Sequence, residues 1–336
     1  MNPLLDDILK DWGERIFRAP VRARVGKRTV THFRTHHSPP ELKQVGSARI
    51  RSTLSRTTGK APEVMVKISG GGKGMRHIKA HFDYISRNGM LELENEDGEI
   101  IAGREALRDL RDEWKCGQYG IPEEAQHKEA FNVVLSMPPG TDRDSVTHAA
   151  RAFARTEFGD NHAYVFTAHD DEQHPHVHLC VKALGLDGTR LNPRKVDLQR
   201  WREQFAEALR ERGITANATP RTARAVVQRP EKQAVQHMRR REGARETAVE
   251  HGLPGQVQDN FSAKKRAAHA YGQIARALAK SESADRQLAL DITRYVAQMP
   301  VFSALRRRGQ EPGQTRPEHT EKTSVLARTE IPDRSR

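Results

Sequence analysis

Between residues 63 and 210 the apolar positions switch repeatedly between a spacing of two and a spacing of three to four. Alternation belongs to strands, whose side chains point to opposite faces, and a period near 3.6 belongs to helices. Glu63-Val-Met-Val-Lys-Ile predicts a short first strand, followed by the Gly-rich turn Gly70-Gly-Gly-Lys-Gly74. Arg76–Arg87 reads as a helix stopped by Asn88-Gly89, a pair that tolerates the left-handed end of a helix. Leu91-Glu-Leu-Glu and Glu99-Ile-Ile-Ala flank Asn95-Glu-Asp-Gly98 and predict a hairpin. Leu107, Leu110 and Trp114 share one helical face, so 103–115 is predicted helix.

Phe131, Val133 and Leu135 alternate as a strand should, and Pro138-Pro-Gly140 ends that strand. Val146, Ala149, Ala150 and Phe153 mark a helix over 142–158. Ala163–Ala168 is a further strand, and His176–Lys182 alternates strictly. Leu184–Leu191 turns through Asp187-Gly188, and Leu198, Trp201, Phe205 and Leu209 stripe a last helix that ends near Gly213. The order is β-α-ββ-α-β-α-β-β-α. Several strand connections are hairpins, which predicts an α+β fold with helices flanking a mainly antiparallel sheet.

Outside this block the pattern fades. Residues 1–60 hold 13 Lys and Arg against 5 Asp and Glu, with Pro39-Pro40 and no sustained period beyond a short amphipathic stretch at Leu4–Phe17. They read as a basic, largely disordered arm. After Pro220 the chain is rich in Arg, Ala, Gln and Glu and nearly free of strand formers, with helical spacing at Gln273–Val296. The expected organisation is an arm over 1–60, a folded domain over 61–220, a polar helical extension over 221–310 and a disordered tail over 311–336.

The chain of 336 residues carries a net charge of +13, which favours a polyanionic partner because Lys and Arg release counterions condensed on phosphates. No apolar run approaches the ~20 residues that span a bilayer, so membrane insertion is not expected. The first residues lack the apolar core of a secretion signal. The two cysteines, Cys116 and Cys180, lack metal-ligand spacing and suggest no disulfide framework. A cytoplasmic, DNA-associated protein fits these features.

The chemistry concentrates in His169-Asp-Asp-Glu-Gln-His-Pro-His-Val-His178, which places four histidines within ten residues. His176 and His178 stand at i and i+2 of a strand and therefore share a face, while Val177, Leu179 and Val181 take the other. His169 closes the preceding strand and can supply a third nitrogen across the turn. Three imidazoles leave coordination positions open, as a catalytic metal requires. Asp171 is placed to accept the second ring N–H of a ligand. His174 is turned away by Pro175 and reads as DNA-facing or structural. Cys180 and Lys182 continue the ligand face, the first as a small buried side chain, the second as a candidate phosphate contact or a plain strand-end lysine.

A nuclease with such a centre could activate water or a side chain. Among the five tyrosines, Tyr84 lies in Lys79-Ala-His-Phe-Asp-Tyr-Ile-Ser-Arg87, upstream of the histidines. A tyrosine hydroxyl that attacks a phosphodiester forms a 5′-phosphotyrosine and frees a 3′-hydroxyl, conserving the bond energy for rejoining. Its unperturbed pKa of about 10 requires help from a base or cation. Tyr164, on an apolar strand, reads as core.

Three motifs together carry a family likeness: His81-Phe-Asp-Tyr-Ile-Ser-Arg87, Phe131-Asn-Val-Val-Leu-Ser-Met-Pro-Pro-Gly140, and His169-x-Asp171-x-x-His-Pro-His176-x-His178. The sequence resembles the MOB-P class of conjugative and mobilisation relaxases, within the HUH endonuclease superfamily, over about residues 62–220. Leu191-Asn-Pro-Arg-Lys195 and its helix are also similar. The resemblance implies a site- and strand-specific nickase with Tyr84 as nucleophile and His169, His176 and His178 as ligands of a divalent ion, Mg²⁺ or Mn²⁺. Asp171 would orient a ligand or help activate the nucleophile. The substrate would be single-stranded DNA at the transfer origin of a plasmid or integrative element. Relaxosome accessory proteins and a type IV secretion coupling protein would be partners. Candidate DNA contacts are Lys73, Arg87, Ser136, His174, Lys182, Arg194 and Lys195. Tyr84 precedes the histidines, as in relaxases and unlike rolling-circle initiators. Two features depart from the family: Lys182 stands where many relatives have Asn, and a long segment precedes the first strand. The alternatives are a water-using metal-dependent hydrolase and a non-catalytic DNA-binding module.

Overall fold

The alternation at His176–Lys182 sets the centre of the fold, because Val177, Leu179 and Val181 must all be buried on one face and are. The computed structural model describes residues 3–17, 46–117, 119–224 and 254–299. Its first elements are α1 (Pro3–Phe17), α2 (Ser47–Thr58), β1 (Met65–Gly70), α3 (Met75–Ile85), β2 (Leu93–Asn95), β3 (Ile100–Ile101) and α4 (Gly103–Cys116). Then come β4 (Ala130–Ser136), α5 (Arg143–Phe158), β5 (Tyr164–His169), β6 (His176–Lys182), α6 (Lys195–Glu211), α7 (Pro254–Leu278) and α8 (Ser283–Ala297). The strands form one sheet in the order β1-β4-β6-β5-β2-β3, and each neighbouring pair is antiparallel. The α+β class and the element order over 63–211 are those expected from the hydrophobic pattern. The end of α3 differs: the helix stops at Ile85 because Arg87, Asn88 and Gly89 all take left-handed backbone, with φ of 51°, 59° and 84°.

Each face of the sheet has its own core. On one face, Val133, Leu135, Phe166, Val177, Leu179 and Val181 meet α5 and α6 through Phe153, Phe158, Trp201 and Phe205. Trp201 is wholly buried, and its indole N–H donates to Glu157 Oε1 at 2.6 Å, so its polar edge is satisfied. On the other face, Ala130, Val165 and Cys180 meet α3 and α4 through Ile78, Phe82, Leu107 and Trp114. That second cover is incomplete. On β1 the side chains Met65, Lys67 and Ser69, which alternate with the buried Val66, are exposed. The β1 edge of this face is therefore open, beside Ser136 and Val134 of β4.

A third core holds α1, where a short amphipathic helix was expected, and α2, which was expected to lie in a largely disordered arm. Leu5, Leu9 and Ile16 of α1 and Ile50 and Leu54 of α2 are buried with Tyr271, Ile274 and Leu278 of α7 and Ile292 of α8. Arg51 ties the cluster together, bonding Asp6 at 3.2 Å and Asp285 at 3.1 Å, 234 residues further along. An apolar stripe of two or three residues is too weak to predict packing alone; its partner here is remote in sequence. The helical spacing expected over Gln273–Val296 is carried by two helices, with a break at residues 279–282. Residues 18–45, 225–253 and the tail over 311–336 lie outside the described residues. No described helix is long and apolar enough to cross a membrane.

Leu54 is fully buried in this helical core. Leu54→Ala is expected to destabilise the protein by about 2–5 kcal/mol in urea unfolding followed by circular dichroism. A solvated arm would give a change within about 0.5 kcal/mol.

Candidate active site

Antiparallel pairing brings the three histidines together. His169, the last residue of β5, lies directly opposite His176, the first of β6, and His178 is the next residue on that face, opposite Thr167. Ring centroids are 5.5 Å apart for His169–His176, 5.2 Å for His176–His178 and 4.4 Å for His169–His178. One ring nitrogen of each lies within 4.8 Å of the others. His169 and His178 are buried, while His176 is half-buried.

Two of the rings are oriented by main-chain carbonyls. Nε2 of His169 donates to the carbonyl of Ile85 at 2.7 Å, and Nδ1 of His176 donates to the carbonyl of His174 at 3.0 Å. A carbonyl can only accept, so each of these nitrogens carries the proton, and Nδ1 of His169 and Nε2 of His176 keep their lone pairs. Imidazoles whose remote nitrogen is bonded in this way are suited to metal ligation. Burial and the neighbouring His169 and His176 depress His178 to about 3, so this ring is neutral at pH 7. The donor set therefore fits a divalent ion held by His169, His176 and His178.

Tyr84 sits one residue before the carbonyl that His169 grips. Its ring stands 5.6 Å from that of His178 and 6.1 Å from that of His169. The residue is 61% exposed, so it is open to a large substrate. The other described tyrosines are elsewhere. Tyr164 is in the opposite core, pushed up to about 12 by burial; Tyr271 and Tyr295 belong to the helical core; Tyr119 follows α4.

The other expected residues separate into two groups. Arg87, Asp171, Ser136 and His174 lie at the histidine end of the sheet. Asp171 differs from its expected role. It stands 4.0 Å from Nδ1 of His169, beyond hydrogen-bond range, and pairs with Arg87 at 2.6 Å. The Arg87 guanidinium holds its carboxyl below the usual range. The ring proton of His169 goes to the Ile85 carbonyl, so Asp171 does not accept it from this histidine. Ser136 is buried directly opposite His176. His174 is exposed and contributes its carbonyl.

Lys182 lies six residues further along β6, about 20 Å away. It is 8% exposed, among the acidic groups Glu113, Glu96 and Glu129, so it presents no accessible ammonium to a phosphate, contrary to expectation. The Gly-rich turn with Lys73 joins that same far end through Gly72, whose N–H donates to the carbonyl of Ala130, the partner of Lys182. Lys73, Arg194 and Lys195 are exposed and away from the histidines along the strands. Cys180 is fully buried and its thiol is pushed up, so it is no ready thiolate ligand.

Two further residues belong to the site. His81, one turn before Tyr84, stacks on the Tyr84 ring at 6.3 Å and meets the edge of His178 at 6.5 Å. Burial depresses it to about 4, and its Nε2 is buried without a hydrogen-bond partner. Arg143, at the start of α5, bonds the turn between the ligand strands. A cation at a helix N-terminus opposes the helix dipole, and that is the sequence signal that could have marked it.

The family comparison agrees with this geometry. Residues 84–214 match the family model for the MobA/VirD2-like relaxase nuclease domain, a stretch that opens on Tyr84 and contains all three histidines. Over these residues the chain is similar to relaxases of the HUH type. The chain is similar to the T-DNA border endonuclease VirD2 of Rhizobium radiobacter, 29% identical over 189 residues, covering 50% of this chain and 44% of that protein. The VirD2 proteins of Agrobacterium fabrum and Rhizobium rhizogenes are each 28% identical, over 208 and 188 residues, covering 56% and 50% of this chain and 46% and 43% of theirs. The chain thus spans less than half the length of these relatives. No solved structure gives a significant match.

The two depressed imidazoles of this site make stability pH-dependent. Both His81 and His178 are neutral when folded and gain a proton more readily when unfolded. Their contribution is fully present above pH ~6.5 and is lost as pH falls from there toward their folded values. In EDTA, the urea midpoint is expected to fall between pH 6.5 and 4.5, and His81→Gln should flatten that slope. An unchanged slope would contradict a buried neutral His81.

Proposed function

We propose that this chain is a metal-dependent relaxase that nicks one DNA strand through Tyr84. The observation that carries the reading is the Tyr84 ring standing against His169 and His178 while its edge stays open to solvent. The similarity to border endonucleases of T-DNA supports the same class of substrate. In the reaction, the Tyr84 hydroxyl oxygen bonds to phosphorus as the P–O3′ bond breaks. The phenolic proton is lost, and the departing 3′ oxygen leaves as a hydroxyl. His169, His176 and His178 would hold a divalent ion, Mg²⁺ or Mn²⁺ in our reading, which when bound would supply positive charge to the phosphoryl oxygens.

The protein's own groups do the rest. The Ile85 carbonyl ties the helix of the nucleophile to a ligand ring, so Tyr84 and the ligands are held as one unit. Arg87, half-exposed beside Tyr84, offers a guanidinium to a neighbouring phosphate. The open β1 edge, with Lys67, gives the strand an approach that α3 and α4 do not cover. We assign nicking to residues 61–220. The substrate is single-stranded DNA at a transfer origin, and accessory and coupling proteins of mobilisation are the partners, in the cytoplasm.

Incubating the protein with a transfer-origin oligonucleotide and Mn²⁺ should yield a denaturation-resistant adduct, with mass spectrometry locating the link on Tyr84. Tyr84→Phe should form none. His178→Ala should slow adduct formation by roughly 100-fold or more. Cleavage with a free 5′-phosphate and no adduct would instead make water the nucleophile.

A further inference from the structure

All three histidines are carried by one hairpin, and the turn between its strands, residues 170–175, is exposed except for Pro175. A six-residue surface turn left to itself samples many conformations. This one is bonded along its length. Arg143 Nη1 donates to the carbonyl of His169 at 3.2 Å and to Asp170 Oδ1 at 3.3 Å, and Nη2 donates to the carbonyl of Glu172. On the other side Arg87 holds Asp171, and the N–H of Met137 holds the carbonyl of Pro175 at 3.1 Å.

The turn matters because it supplies part of the ligand geometry. The carbonyl of His174 takes the Nδ1 proton of His176 and so fixes that ring's orientation and tautomer. The carbonyl of His169 belongs to a ligand residue itself. Arg143 therefore reaches both ends of the ligand set, His169 directly and His176 through the shape of residues 172–174. Its planar fork can span two carbonyls at once, which an ammonium cannot. The base of the fork is firm: Asp142 caps α5 by accepting from the N–H of Ser145 at 2.8 Å.

We propose that Arg143 is a positioning residue of the metal centre, which fastens the ligand turn so that His169 and His176 present their lone pairs to one ion. This rests on the reading of the three histidines as a metal site. It gives Arg143 a role in metal affinity that is separate from DNA binding.

The test uses the full chain and Mn²⁺ alone, with free Mn²⁺ followed by electron paramagnetic resonance. Wild type should bind one ion and His178→Ala should lose it; failure of either overturns the metal-centre reading itself. Given that reading, Arg143→Ala should weaken Mn²⁺ binding by about 10–100-fold. Arg143→Lys should fall between Ala and wild type. In EDTA, both variants should keep the wild-type thermal midpoint within a few degrees and bind the oligonucleotide within about twofold of wild type by fluorescence anisotropy. Mn²⁺ affinity within twofold of wild type in Arg143→Ala overturns the proposal. So does a loss of oligonucleotide binding without a loss of Mn²⁺, which would make Arg143 a phosphate contact. A collapsed midpoint in EDTA for both variants would assign Arg143 to general stability and equally overturn it.

Discussion

The register between β5 and β6 is the constraint on which the site depends. His169 faces His176 across the hairpin, and His178 follows on the same face. A slip of one residue would turn the histidine row into the core formed with α5 and α6 and push Val177 and Leu179 out of it. The register is therefore enforced by hydrophobic burial on the face away from the chemistry. Val177, Leu179 and Val181 act as the keel that holds the imidazoles upright on the other side.

A second coupling joins Tyr84 to this frame. The last residue of α3, Ile85, has a carbonyl with no partner inside its helix, and His169 supplies one. The bond completes the helix end and fixes the ring with one proton. It also sets the distance between Tyr84 and the ligand set, because Tyr84 immediately precedes Ile85. The left-handed run Arg87-Asn88-Gly89 then turns the chain sharply away, so that Arg87 reaches back to Asp171.

Much of this was legible in the sequence because it is local. Alternation at 176–182 gave a shared face for two histidines, and the helix and strand periods over 63–210 gave the element order. What was not legible depends on partners remote in the chain. Asp171 was expected on a ring nitrogen, yet the competing acceptor belongs to Ile85, more than eighty residues upstream. Lys182 was expected at the surface or on DNA, but Glu96, Glu113 and Glu129 converge on it from separate segments. Arg143 lies in no motif, and two of its three partners are main-chain carbonyls, which carry no sequence signature. The packing of α1 and α2 was hidden for the same reason: their partners are α7 and α8.

That last arrangement has a consequence for how the protein forms during synthesis. Arg51 needs Asp285, 234 residues later. At a translation rate of about 5–20 residues per second, that separation corresponds to roughly 10–50 s. Until synthesis reaches residue 254, Leu5, Leu9, Ile50 and Leu54 have no α7 or α8 to cover them, whereas every strand of the sheet is made by Lys182. The nascent chain thus holds a finished sheet while its leading helices still expose an apolar face, and that face is where a chaperone would find its handle.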